Sequence, residues 1–105
     1  LASFEPHPKL EKLHQNMQGT YRGNTISVKS KAEIQAEKNE LLRWENNSGQ
    51  TLIIEIFDNK GKEILSDKTA KKKYKIPDLA PGLYYWKLID KDFELIFVGK
   101  ITVNK

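Results

Sequence analysis

The spacing of apolar positions changes near residue 25. Before it, PKLEKLHQNM places Leu10, Leu13, His14 and Met17 at i, i+3, i+4 and i+7, one face of a helix. Pro8 suits a first helical position, and QGTYRGN ends the helix with two glycines and an asparagine. A helix of about three turns is marginal alone. The pattern therefore predicts one docked against an edge of the structure that follows.

From residue 25 the period is two. TISVK (25–29), LLRWE (41–45), TLIIEIFD (51–58), KEIL (62–65), KYKI (73–76), LYYWKLI (83–89) and FELIFVGKITV (93–103) read as seven strands. NNSGQ, NKG, DLAPG and DKD supply turns. SKAEIQAEKNE (30–40) is polar and reads as a loop or a single helical turn. No long helix separates the strands, so a parallel α/β sheet is not indicated. The expected fold is all-β: an immunoglobulin-like antiparallel β-sandwich of about seven strands with a short N-terminal helix. Residues 1–24 form the helical or linker segment and 25–105 the domain.

The strand phases select a core. Leu42, Trp44, Leu52, Ile54, Ile56, Tyr74, Ile76, Leu79, Tyr84, Trp86 and Leu88 fall on one face, with Trp44 and Trp86 near each other. Phe57 and Tyr85 fall on the opposite face. In the last strand Phe93, Leu95 and Phe97 keep one parity and Ile96 and Val98 the other. Gly99 is the expected bulge, after which Ile101 and Val103 resume the inward row.

The 105 residues allow one domain. Without cysteine there is no disulfide, no thiolate metal site and no cysteine nucleophile. No apolar run approaches the roughly 18 residues of a bilayer span. No signal peptide is evident. The chain opens on Leu1, so a leader or membrane anchor is expected, if anywhere, outside this piece. Net charge is +4, and sixteen of the eighteen basic residues are lysine. Arginine is favoured where phosphate or base edges are gripped bidentately, so nucleic acid is not the indicated partner. Lys68, Lys71, Lys72, Lys73 and Lys75 read as a solvated edge that blocks strand pairing.

Catalytic chemistry has no framework here. Ser3, Ser27, Ser30, Ser48 and Ser66 lack a nucleophile elbow. Glu45 and Glu55 are not placed across a cleft, and His7 and His14 lack the spacing of a metal motif. Asn46-Asn47-Ser48 matches a glycosylation sequon, which has meaning only in a eukaryotic secretory setting. No cofactor, metal or catalytic residue is assigned. The candidate surface contacts are Phe57, Tyr85, Lys71, Lys72 and Lys73, with Tyr85 and Phe57 the candidate platform for a glycan.

A family resemblance rests on Ile54, Ile56, Phe57, Asp58, Gly61, Lys62, Glu63 and Ile64, then Leu79, Pro81, Gly82, Tyr84 and Leu88, then Gly99, Lys100, Ile101 and Val103. About half the chain is involved. These positions resemble the second half of immunoglobulin-like or fibronectin-III-like sandwiches of bacterial envelope proteins. Their order also resembles the C-terminal sorting domains of type IX secretion in Bacteroidetes. RGNTISVKSKAE lacks the Asn-Pro opening usual in the sorting domains. The N-terminal half is similar instead to the periplasmic sandwich of membrane-anchored regulators. The resemblance implies a non-catalytic interaction or spacer domain of a periplasmic or cell-surface protein, such as the periplasmic part of a membrane-anchored regulator. A C-terminal sorting domain and a carbohydrate-binding module are the alternatives. The implied partner is a protein, either a neighbouring domain or an envelope component.

Overall fold

The computed structural model describes residues 4–23, 26–37 and 39–104. Ser3, Thr25, Lys105 and the expected boundary between residues 24 and 25 lie outside the described residues. Helix α1 (Pro8–Met17) is followed by β1 (Thr20–Arg22), β2 (Ser27–Lys29), β3 (Glu33–Ala36), β4 (Leu41–Arg43) and β5 (Glu45–Asn46). Then come β6 (Leu52–Asp58), β7 (Glu63–Thr69), β8 (Lys73–Lys75), β9 (Gly82–Ile89) and β10 (Leu95–Val103). The fold is all-β with one short helix. Its strands form a five-stranded sheet in the order β3-β10-β9-β6-β7, a three-stranded sheet β1-β2-β5 and a two-stranded sheet β4-β8.

The described residues hold ten short strands where seven were expected. LLRWE divides at Trp44 into β4 and β5, which join different sheets. The polar stretch 30–40 contains β3, which pairs parallel to β10 from Lys100 opposite Glu33 to Val103 opposite Ala36. The other pairings are antiparallel. β3 is an edge strand in which Ala36 is buried and Ile34 half-buried, while Glu33 and Gln35 are exposed. One apolar row is enough for that position, so its composition looked like a loop.

The inner face of the five-stranded sheet carries Leu52, Ile54, Ile56, Tyr84, Trp86, Leu88, Phe97 and Ile101. They share one apolar cluster with Val28, Leu42, Trp44 and Ile76, so the smaller sheets close that face. Trp44 and Trp86 are buried with ring centroids 5.7 Å apart, and Phe97 lies 4.9 Å from Trp86. The turn before β9 is fastened by the Tyr84 hydroxyl, which donates to the Ala80 carbonyl at 2.6 Å. This resembles the tyrosine corner of sandwich domains.

The bulge in β10 falls between Leu95 and Phe97, not at Gly99. It turns both Ile96 and Phe97 into the inner core, which explains the broken parity. Gly99 has a different task. It pairs directly with Trp86, and an added Cβ would overlap the indole nitrogen. Phe93, expected in the strand, is 80% exposed in the turn before it. The helix also sits elsewhere than expected. It covers the outer face of the sheet, above β9 and β10, not an edge. Its apolar row meets an apolar patch there, so a face buries more than an edge could.

Candidate functional site

The outer face is where sequence expectation and structure part most. Leu10, Leu83, Tyr85 and Val98 form a second apolar cluster, with Leu13, Met17, Phe57 and Leu95 packed around it. Tyr85 is therefore fully buried beneath α1, which corrects its reading as a surface contact and glycan platform. Phe57, its cross-strand partner, is half-buried beside that cluster, with the Lys87 ammonium 4.6 Å from its ring centroid. Together these residues secure the helix.

A polar network closes the same interface. The Tyr85 hydroxyl donates to Glu11 Oε1 at 2.7 Å and accepts from the His7 backbone N–H at 3.3 Å. Lys100 Nζ lies 2.9 Å from Glu11 Oε1 and 3.8 Å from Glu33 Oε1. The other oxygen of Glu11 accepts from Gln15 Nε2 at 3.1 Å. His14 is buried, with Nδ1 3.3 Å from the Val98 carbonyl, which only accepts, so that nitrogen carries a proton. Its Nε2 lies 3.7 Å from Glu33. His7 is the helix N-cap, and its Nδ1 accepts from the Leu10 N–H at 3.3 Å. Both histidines are thus engaged with the helix interface. Among the described residues no group of three or more His, Asp or Glu side chains is placed to hold a metal ion.

The network sets its own electrostatics. Burial pushes the Glu11 carboxyl up, but hydrogen bonds from Lys100, Tyr85 and Gln15 and the Lys100 charge outweigh it, leaving the pKa below its ordinary value. Burial, then the Glu11 hydrogen bond and charge, raise the Tyr85 phenol well above its ordinary range. Tyr85 stays protonated and Glu11 ionised, the pairing that a donor and an acceptor require. Neither Glu11 nor Lys100, the latter named only for the family resemblance, was read from the sequence as holding the helix. Their signal was Glu11 beside Leu10 and one turn before His14 on the buried helical stripe.

The lysine candidates lie on the other layer. Lys71, Lys72 and Lys73 are exposed, at and just before β8. Lys72 lines an open groove of about 500 Å³ with Tyr21, Arg22, Lys29, Trp44 and Asn46. The structure does not join these lysines with Phe57 and Tyr85 into one surface. Asn46, first residue of the sequon, is buried, and its Oδ1 accepts from the Ser48 N–H and hydroxyl at 3.0 and 3.1 Å. Its amide works as a turn clasp.

The chain is similar to the fibronectin(III)-like modules of Clostridium thermocellum CbhA, at 20% identity, with a TM-score of 0.41 over 73% of this chain and 93% of that one. No curated protein matches it in sequence. The profile of the secretion system C-terminal sorting domain matches residues 24–104, from just before β2 to just past β10. Helix α1 precedes the matched span. Domains of this family are non-catalytic, and they act in the periplasm or outside the cell. With all five strands of the central sheet inside the match, the chain belongs to the secretion system C-terminal sorting domain family.

Proposed function

We propose that this domain is the sorting signal of an exported protein, recognised by a component of the secretion machinery while a passenger is carried with it. The observation that carries this reading is the family match over residues 24–104. Partner recognition would use the folded surface, as in other interaction domains. On this reading residues 25–105 form an immunoglobulin-like sandwich that holds the signal, and residues 1–24 supply its helical cover. The burial of Tyr85, with Phe57 half-buried beside it, weighs against the glycan-binding alternative, which placed its platform on these two rings.

A reporter carrying its own leader into the periplasm, joined ahead of this chain, tests the proposal. In cells with a type IX secretion system the reporter should reach the surface or the medium. In isogenic cells lacking the system it should stay in the periplasm. Equal distribution in the two strains would refute the sorting role and leave a spacer.

A further inference from the structure

The same turn is built twice in this fold. In residues 58–62, Asp58 Oδ1 accepts from the Lys60 and Lys62 N–H groups, both at 2.9 Å. The Asp58 N–H bonds the Lys62 carbonyl at 2.9 Å, and the Gly61 N–H returns to the Asp58 carbonyl at 3.1 Å. In residues 90–94, Asp90 Oδ1 accepts from Asp92 and Glu94, again both at 2.9 Å. The Asp90 N–H bonds the Glu94 carbonyl and the Phe93 N–H the Asp90 carbonyl, each at 3.0 Å. Both are hairpin turns whose fourth residue must take a left-handed conformation.

That fourth residue differs. Gly61 holds φ +84° without a side-chain conflict. Phe93 holds φ +63°, where an L side chain crowds its own backbone and where phenylalanine has no polar group to compensate. The ring is 80% exposed, so burial within the domain gives little back. The flanking charge is also distinctive. Residues 90–94 carry three carboxylates and one lysine, on a chain of net charge +4. None of the three carboxylates makes an ion pair among the described residues.

We propose that Phe93 is a displayed contact residue, inserting into an apolar pocket rimmed by lysine or arginine on a protein of the secretion machinery. The Asp90 clasp fixes the backbone, so little freedom is lost when the ring docks. Asp92 and Glu94, both exposed, select the basic rim. Their charge opposes an anionic membrane as the target. The inference rests on the sorting role proposed above.

The test uses the complete passenger-bearing protein in its secretion-competent host. Four versions are compared: wild type, Phe93→Gly, the double charge reversal Asp92→Lys with Glu94→Lys, and a deletion of residues 24–104. Phe93→Gly should leave Tm unchanged or raise it by about 2–4 °C, since it removes strain at an exposed site. It should nevertheless lower surface delivery at least about tenfold, the loss expected for an aromatic anchor. The charge reversal should lower delivery with an unchanged fold. If the deletion abolishes delivery while Phe93→Gly delivers like wild type, the contact proposal falls and the sorting role stands. If the deletion changes nothing, the sorting role itself fails and takes the contact with it. A lower Tm in Phe93→Gly would make the ring a fold element and overturn the proposal. So would Phe93-dependent flotation of the purified protein with phosphatidylglycerol vesicles, or Phe93-dependent dimerisation in sedimentation.

Discussion

Strand β9 has a dry side and a wired side. Inward, Tyr84, Trp86 and Leu88 meet apolar neighbours, and the indole N–H groups of Trp86 and Trp44 are buried without a hydrogen-bond partner among the described residues. Outward, Leu83 and Tyr85 meet a ten-residue helix whose hold includes Tyr85, Glu11, Lys100, Glu33 and His14. The contrast follows from the size of the covering element. The inner face is closed by several strands over a large apolar area, and shape alone suffices. The outer face is closed by a helix too short to be stable by itself, which offers Leu10, Leu13 and Met17 to the apolar cluster. Directed polar contacts make up the difference and fix the helix in one register.

The largest test is on the dry side. Trp86→Ala should lower stability by about 3–5 kcal/mol, through lost burial and the cavity left between Trp44 and Phe97. Gly99→Ala attacks the same contact from across the pairing, because the new methyl would occupy the indole's place. It should cost about 1–3 kcal/mol. Urea denaturation followed by tryptophan fluorescence measures both. Free access of quenchers to both indoles in the native state would break the comparison.

The wired side should fail differently. Glu11→Gln leaves the Lys100 ammonium, whose side chain is 17% exposed, beside a neutral amide. Because the pair is not fully excluded from water, the expected loss is about 1–2 kcal/mol. It should appear first as faster amide exchange in residues 8–17, with β9 and β10 still protected. Simultaneous loss of protection in helix and sheet would show that the two sides are one cooperative unit.

This difference also explains what could be read from the sequence. Trp44, Ile54, Ile56 and Trp86 were legible because a strand buried on one face repeats every two residues. The helix was legible from Leu10, Leu13, His14 and Met17. Its destination was not, since an apolar stripe does not say which surface receives it. Tyr85 misled for the same reason: period two assigns it to the outward face, and only the docked helix makes that face interior. β3 was hidden because a parallel edge pairing needs no connecting turn and only one apolar row. Phe93 was misplaced because DKD suggested a shorter turn, whereas Asp90 clasps a loop that runs to Glu94.

Acid gives a gentler way to separate the faces. Glu11 titrates below its ordinary value of 4.5 in the folded protein. A depressed carboxylate contributes stability that is complete above the unfolded pKa and is lost as pH falls through the folded one. The helix should therefore hold unchanged from neutrality to about pH 5 and loosen progressively below 4.5. Glu55 has the opposite sign. Burial, then the neighbouring Glu63 charge, raises its pKa, so acid relieves a penalty at that site. The two sites therefore respond to acid with opposite signs, and exchange in residues 8–17 should accelerate below pH 4.5. Tryptophan fluorescence that shifts at the same pH as helix exchange would contradict the separation.

The smallest expected effect lies at the helix start. His7→Ala removes the Nδ1 acceptor of the Leu10 N–H but keeps the backbone N–H that reaches Tyr85. Loss of an N-cap acceptor costs about 0.5–2 kcal/mol in general. The bond here is long, at 3.3 Å, which puts the expected loss at the low end of that range. Asparagine at position 7 should restore it, because its side-chain oxygen can accept from the same first-turn amides. The imidazole also stands over Gly61, where an added Cβ would come within 3.0 Å of Nε2. If His7→Asn fails to rescue, the ring matters as packing on the 58–62 turn, and the cap contributes little. If it rescues fully, the outer face is held by directed hydrogen bonds at its N-terminal end as it is at Glu11.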